Sequence, residues 1–114
     1  APQAIGPYHQ AIKSGNLIFC SGQIALTPDG VLNSPSIETE TKQVLENVKA
    51  ILEAAGSSLG KVLKATLFLT DLTDFVAVNQ IYGEYFPHKP ARSTIQVVAL
   101  PKGARVEIEC VAEA

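Results

Sequence analysis

Two charged residues in the C-terminal third carry the pattern with the most chemical content. Arg92 follows Lys89-Pro90-Ala91 and so leaves a Pro-stiffened turn at the start of a strand-like stretch. Its planar guanidinium suits bidentate recognition of a carboxylate. Glu107 sits in Val106-Glu107-Ile108-Glu109, where apolar and acidic residues alternate as in a strand with one buried face. In a partly desolvated cleft such a glutamate is suited to general acid/base work, its protonation set by burial on one side and Arg92 on the other. Simpler roles exist for both: Arg92 as a surface or interface residue paired with Glu109, and Glu107 as a solvated strand carboxylate.

Whether the two meet depends on how their strands pair. If Leu100-Pro101-Lys102-Gly103-Ala104 closes an antiparallel hairpin, Gln96 faces Glu107 and Thr94 faces Glu109. The parity then puts Arg92, Thr94, Gln96, Glu107 and Glu109 on the same face, the one without helices. Arg92 would lie about 14 Å along the strand from the level of Glu107, at about 3.4 Å per residue. Extended side chains would leave a gap that admits a small carboxylic acid, with Thr94 beside it. Tyr8, in Ile5-Gly6-Pro7-Tyr8, is a candidate hydroxyl donor to that cleft or a cap on the core. Gly22, in Ser21-Gly22-Gln23, either lets bare backbone approach a ligand or marks a bulge.

Other chemistries lack their residues. There is no GxGxxG, P-loop, HExxH or GxSxG motif, and His9 and His88 are isolated. Cys20 and Cys110 lie in apolar stretches without CxxC spacing, as reduced, buried thiols would. No metal and no cofactor is expected. Ser93 lacks a neighbouring base and reads as a structural hydroxyl.

The elements that must position these residues are legible by period. Ile37, Thr41 (through its methyl), Val44, Leu45, Val48, Ile51, Leu52 and Ala55 form one helix stripe, with Ser36 as N-cap, Glu38 and Glu40 at the positive end of the dipole, and Gly56 as terminator. Phe75, Val78, Tyr82, Tyr85 and Phe86 form a second, opened by Asp71 or Thr73 and closed by Pro87. Strands are expected at Ala11-Ile12-Lys13 and Leu17 to Ser21 around a Ser14-Gly15-Asn16 turn, then at Leu63 to Leu69, where Leu63, Ala65, Leu67 and Leu69 alternate with Lys64, Thr66 and Phe68, at Thr94 to Ala99 and at Val106 to Glu113. The order ββαβαββ predicts an α+β fold, a mixed sheet with two helices packed on one face, over a single domain spanning residues 1–114. The other face would be half apolar, too greasy for comfortable exposure, and is expected to be covered by further copies of the chain.

Composition narrows the partners. The 114 residues are enough for one core without disulfides or metals, and only 18% are charged, which excludes a disordered or coiled-coil chain. The formal charge is −2 and the nine Lys and Arg are scattered, so no nucleic-acid partner is expected. No apolar run approaches the roughly 20 residues of a bilayer span, and no signal peptide is apparent. A cytoplasmic protein is expected, or a mitochondrial one in a eukaryote.

Several segments, in order and with matching spacing, resemble the Rid family (YjgF/YER057c/UK114). They are Ile5-Gly6-Pro7-Tyr8, Ser21-Gly22-Gln23-Ile24, Glu46 to Ala50 through Glu53 to Gly56, Phe75 to Asn79, Pro90-Ala91-Arg92-Ser93 and Val106 to Glu109. The chain is most similar to the reactive intermediate deaminases of that family. The resemblance implies a chorismate-mutase-like fold and a homotrimer with clefts between subunits. It also implies cofactor-independent hydrolysis of 2-imino acids (2-iminobutanoate, 2-iminopropanoate) to 2-keto acids and ammonia. Arg92 would hold the substrate carboxylate and Glu107 would activate water, with Tyr8, the Gly22 backbone and Asn79 lining the cleft. Thr94 stands where several relatives have Cys, which argues against an obligatory thiol. The alternatives are a non-catalytic, small-ligand-binding regulatory trimer and an endoribonuclease or translation inhibitor.

Overall fold

The computed structural model describes residues 1–2, 6 and 8–114; Ile5 and Pro7 of the N-terminal motif lie outside the described residues. Five strands and two helices follow in the expected order: β1 (Ala11–Ser14), β2 (Leu17–Gln23), α1 (Ile37–Ala54), β3 (Val62–Leu69), α2 (Phe75–Tyr85), β4 (Ala91–Gln96) and β5 (Val106–Glu113). Local chemistry explains their limits. Gly15 supplies the positive φ (59°) of the β1–β2 turn. Ser36 Oγ accepts from the Thr39 N–H to cap α1, and Gly56 ends it at φ 85°. Asp71 accepts from the Thr73 N–H in a short 3₁₀ turn, Leu72–Asp74, that feeds α2.

The sheet order is β1-β2-β5-β3-β4, with β3 and β4 parallel and every other pair antiparallel. Parallel β3 and β4 are joined through α2. β2 and β3 also run the same way, joined through α1 with β5 inserted between them. Right-handed crossovers that step in the same direction place both helices on one face, as expected. There Val44, Leu45, Val48 and Leu52 of α1 meet Ile18, Leu67, Leu69, Val106 and Ile108, all at most 1% exposed. No described helix is long and apolar enough to cross a membrane.

The pairing of the last two strands differs from the sequence expectation. β4 and β5 form no hairpin; β3 lies between them, and residues 97–105 cross its end. Leu69 is flanked by Gln96 on one side and Val106 on the other, and the chain ends β4 at Gln96 and not at Ala99. The parity argument therefore inverts for β4. Arg92, Thr94 and Gln96 stand opposite Ala65, Leu67 and Leu69, whose side chains are buried beneath the helices, so they share the helix face. Glu107 and Glu109 stand opposite Phe68 and Thr66 on the open face, as predicted. A second departure is at the start of β3, where a bulge between Val62 and Lys64 buries Val62 and turns Leu63 outward.

Candidate functional site

The predicted residues fall into two groups on opposite faces of the sheet. The first surrounds a cavity of about 170 Å³ lined by Tyr8, Gly22, Gln23, Ile24, Pro101 and Glu107, among others. β2 and β5 lose register between Cys20 and Gln23, and Gly22 lies in that irregularity. The Glu107 carboxyl occupies the space a side chain would need: a Cβ on Gly22 would lie 2.9 Å from Glu107 Cδ and overlap Oε2. Gly22 is thus the floor on which the carboxyl rests, a close approach that only glycine permits. Glu107 has no hydrogen-bond or ion-pair partner among the described residues. Burial, then the neighbouring Glu109 carboxylate, pushes its carboxyl above the ordinary carboxylate range.

The walls of this cavity are tied to α1. The buried Asn47 side chain donates to Ile24 O at 3.2 Å and Leu26 O at 2.8 Å, holding the segment after β2. Gln23 Nε2 donates to Gln10 Oε1 at 2.9 Å, bracing the strand end against the chain that carries Tyr8.

The second group lies at the edge strand, against α2. Arg92 Nη1 donates to Asn79 Oδ1 at 2.6 Å, and the guanidinium carbon lies 4.9 Å from the Tyr82 ring centre and 5.5 Å from that of Phe75. The Asn79 bond is its only hydrogen bond among the described residues, which leaves most of its five donors available. A cavity of about 460 Å³ opens beside it, lined by Asn79, Tyr82, Gly83, Phe86, Lys89 and Arg92. Thr94 Oγ1 and Tyr82 Oη are buried on this side without a hydrogen-bond partner among the described residues. Pairing of Arg92 with Glu109, the simpler sequence reading, does not occur, because the two point to opposite faces.

Arg92 and Glu107 of one chain consequently cannot hold one small ligand. They are separated by two strand spacings, about 9.6 Å, and by three residues, about 10 Å, along the strands, and the sheet lies between them. The open face beside Glu107 is also apolar. Ile12, Phe19, Leu63 and Ile95 are about half exposed, and Val98, just past β4, is fully so.

Cys20 and Cys110 are free, buried and directly opposite each other on β2 and β5. The Cys20 thiol donates to Ser21 O at 3.5 Å, and the interaction of the two facing thiols pulls the pKa of Cys20 down and pushes that of Cys110 up. No cluster of three or more metal-ligating side chains occurs among the described residues. Sequence reasoning assigned Glu40 to the helix dipole, but it is fully buried and its carboxylate holds the start of β5. The one signal for this was its place one position before Thr41 on the apolar stripe.

The fold is thus an α+β sheet with a desolvated glutamate on a glycine floor on one face and an arginine at its edge on the other. The family model described as Endoribonuclease L-PSP matches residues 1–114, and the chain belongs to this family, the Rid or YjgF family. It is 54% identical over 114 residues to the chloroplastic Reactive Intermediate Deaminase A of Arabidopsis thaliana, matching 98% of this chain but spanning only 61% of that protein. A RutC family protein of Pyrococcus horikoshii is 52% identical, with 98% of this chain and 90% of the relative covered. The crystal structure of E. coli TdcF with bound serine superposes with a TM-score of 0.94 at 43% identity, covering 100% of this chain and 93% of that one.

Proposed function

We propose that this protein hydrolyses 2-imino acids and their enamine tautomers, such as 2-iminobutanoate and 2-iminopropanoate, to 2-keto acids and ammonia. The observation that carries the reading is Glu107: a carboxyl whose pKa burial raises, without a partner among the described residues, and seated against the bare backbone of Gly22 in a small cavity. The similarity to a reactive intermediate deaminase supports the substrate class, and a relative that binds serine supports a small, carboxylate-bearing ligand.

An imine carbon is already electrophilic, so the site need only fix the carboxylate and deliver one water. The Arg92 fork takes the substrate carboxylate. Glu107, as carboxylate, accepts a proton from water as its oxygen bonds to C2. The resulting carboxylic acid returns that proton to the imine nitrogen, giving a carbinolamine with OH and NH2 on C2; Glu107 then takes the hydroxyl proton and passes it to nitrogen as the C–N bond breaks, so that C=O forms and NH3 leaves. Tyr8 and Asn79 complete the cleft, Asn79 by orienting Arg92, and Thr94 offers its unpartnered hydroxyl beside the arginine. No cofactor takes part.

In this reading the cleft is completed by a second copy, with Arg92 of one chain facing Glu107 of another in a homotrimer. The separation of the two residues within a chain and the half-exposed apolar face around Glu107 both favour it. RNA cleavage has less support, since the nine basic residues form no cluster and the net charge is −2.

The test couples the protein to a threonine dehydratase and follows 2-ketobutanoate. Acceleration over spontaneous imine hydrolysis is expected, and none would contradict the assignment.

A further inference from the structure

Among the described residues Glu40 is the only buried acidic one, and the mechanism above leaves it unused. A carboxylate without solvent is costly unless its oxygens are hydrogen-bonded, and the two oxygens here serve different groups. Oε1 accepts from Ser34 Oγ at 2.5 Å and Arg105 Nε at 2.9 Å. Oε2 accepts from the backbone N–H groups of Arg105 at 2.7 Å and Val106 at 3.2 Å. Those are the two residues immediately before Glu107. On the other side of the same segment, Thr70 N–H donates to Arg105 O at 3.1 Å. The start of β5 is therefore gripped from α1 and from the end of β3, one residue ahead of the carboxyl that rests over Gly22.

We infer that Glu40 is a positioning residue for Glu107: through Oε2 it fixes the first peptides of β5 and so sets where the Glu107 carboxyl projects into its cavity. The kinetic consequence rests on the deaminase reading, while the placement itself does not. A role confined to stability through the Arg105 ion pair is the competing account, and it depends on Oε1 and charge.

Two substitutions separate the accounts. Glu40→Asp keeps the charge for Arg105 but retracts the carboxylate by about 1.5 Å, one carbon–carbon bond, from the two amides. Glu40→Gln keeps the reach and one carbonyl oxygen for the amides but loses the charge. A displacement of about 1 Å at a reacting group costs up to about 10²-fold in rate. Glu40→Asp is thus expected to lower kcat on 2-iminobutanoate at least about tenfold with KM changed less than about twofold, and Glu40→Gln to hold kcat within about threefold. Val62→Ala, a cavity at the far end of β5, where buried Val62 pairs with Ala112, serves as the destabilised control and should keep kcat.

A readout independent of activity is the ¹³C titration of the Glu107 carboxyl, whose titratable neighbours in the cavity and on its face are Tyr8 and Glu109. Glu107 should titrate lower, toward the ordinary carboxylate range, in Glu40→Asp and as in wild type in Glu40→Gln and Val62→Ala. The reverse order of the two Glu40 variants, or an unmoved Glu107 titration in Glu40→Asp, overturns the inference. Should Glu40→Asp not fold, Glu40→Gln decides alone, because the ion-pair account requires it to fail. An inactive wild type would remove the deaminase reading only, and the Glu107 titration would still judge Glu40.

Discussion

Glu107 projects from β5, a central strand with partners on both sides, whereas Arg92 projects from β4 at the sheet edge. The first is fixed by backbone: β2 and β3 flank it, Gly22 lies beneath it, and Glu40 holds the peptides before it. The second is fixed by side chains alone, through one hydrogen bond to Asn79 and the rings of Tyr82 and Phe75. The contrast matches what the two roles need. A proton-transfer group must sit within a few tenths of an ångström of its place, while a carboxylate clamp can adapt to the ligand it closes on. In the proposed reading a chain by itself carries two half-sites.

The contrast can be broken from either side. Glu107→Gln, which keeps shape and removes the proton acceptor, should lower kcat by about 10²–10⁴-fold with little change in KM. Arg92→Ala should cost about 3 kcal/mol, or about 10²-fold in kcat/KM, expressed largely in KM, since charge-assisted bonds to a carboxylate are lost. Equal kcat losses in both variants would erase the distinction between reacting and clamping groups. Gly22→Ala should fold normally, because Gly22 does not adopt a positive φ, yet its methyl displaces the Glu107 carboxyl and should lower kcat by about tenfold. Steady-state kinetics beside a thermal melt checks this, and an active Gly22→Ala would remove the floor from the account.

The smallest effect concerns pH. Glu107 must be ionised to accept a proton, so the rate should fall as pH drops through its raised pKa. Glu109→Gln removes one of the two causes of that elevation. The acid limb of kcat/KM should then move to lower pH, by under about one pH unit. Movement to higher pH would contradict the cause assigned.

Much of this was readable from residues, and the failures share one origin. Ser36 and Gly56 bound α1 through chemistry local to the chain, and the alternation of Val106 to Glu113 gave β5 its correct inward and outward faces. The face of Arg92 was misplaced because nothing local says that β5 inserts between β2 and β3, and residues 97–105 suit a crossing as well as a turn. Leu63 was misassigned because a bulge is a property of two strands. Glu40 looked like a dipole partner because the amides it holds lie more than sixty residues away. The candidate residues were thus legible as types, and their division between two faces of the sheet only as structure.

The central claim is that a working cleft draws Arg92 from one copy and Glu107 from another. Arg92→Ala and Glu107→Ala chains, each lowered about 10²-fold or more in kcat/KM alone, can be denatured together, refolded as a one-to-one mixture and assayed for imine hydrolysis at substrate well below KM. With random assembly, about a quarter of the clefts would receive both native residues, and about a quarter of wild-type activity should return. A mixture no more active than its components would show that both residues must come from one chain, and would contradict the account.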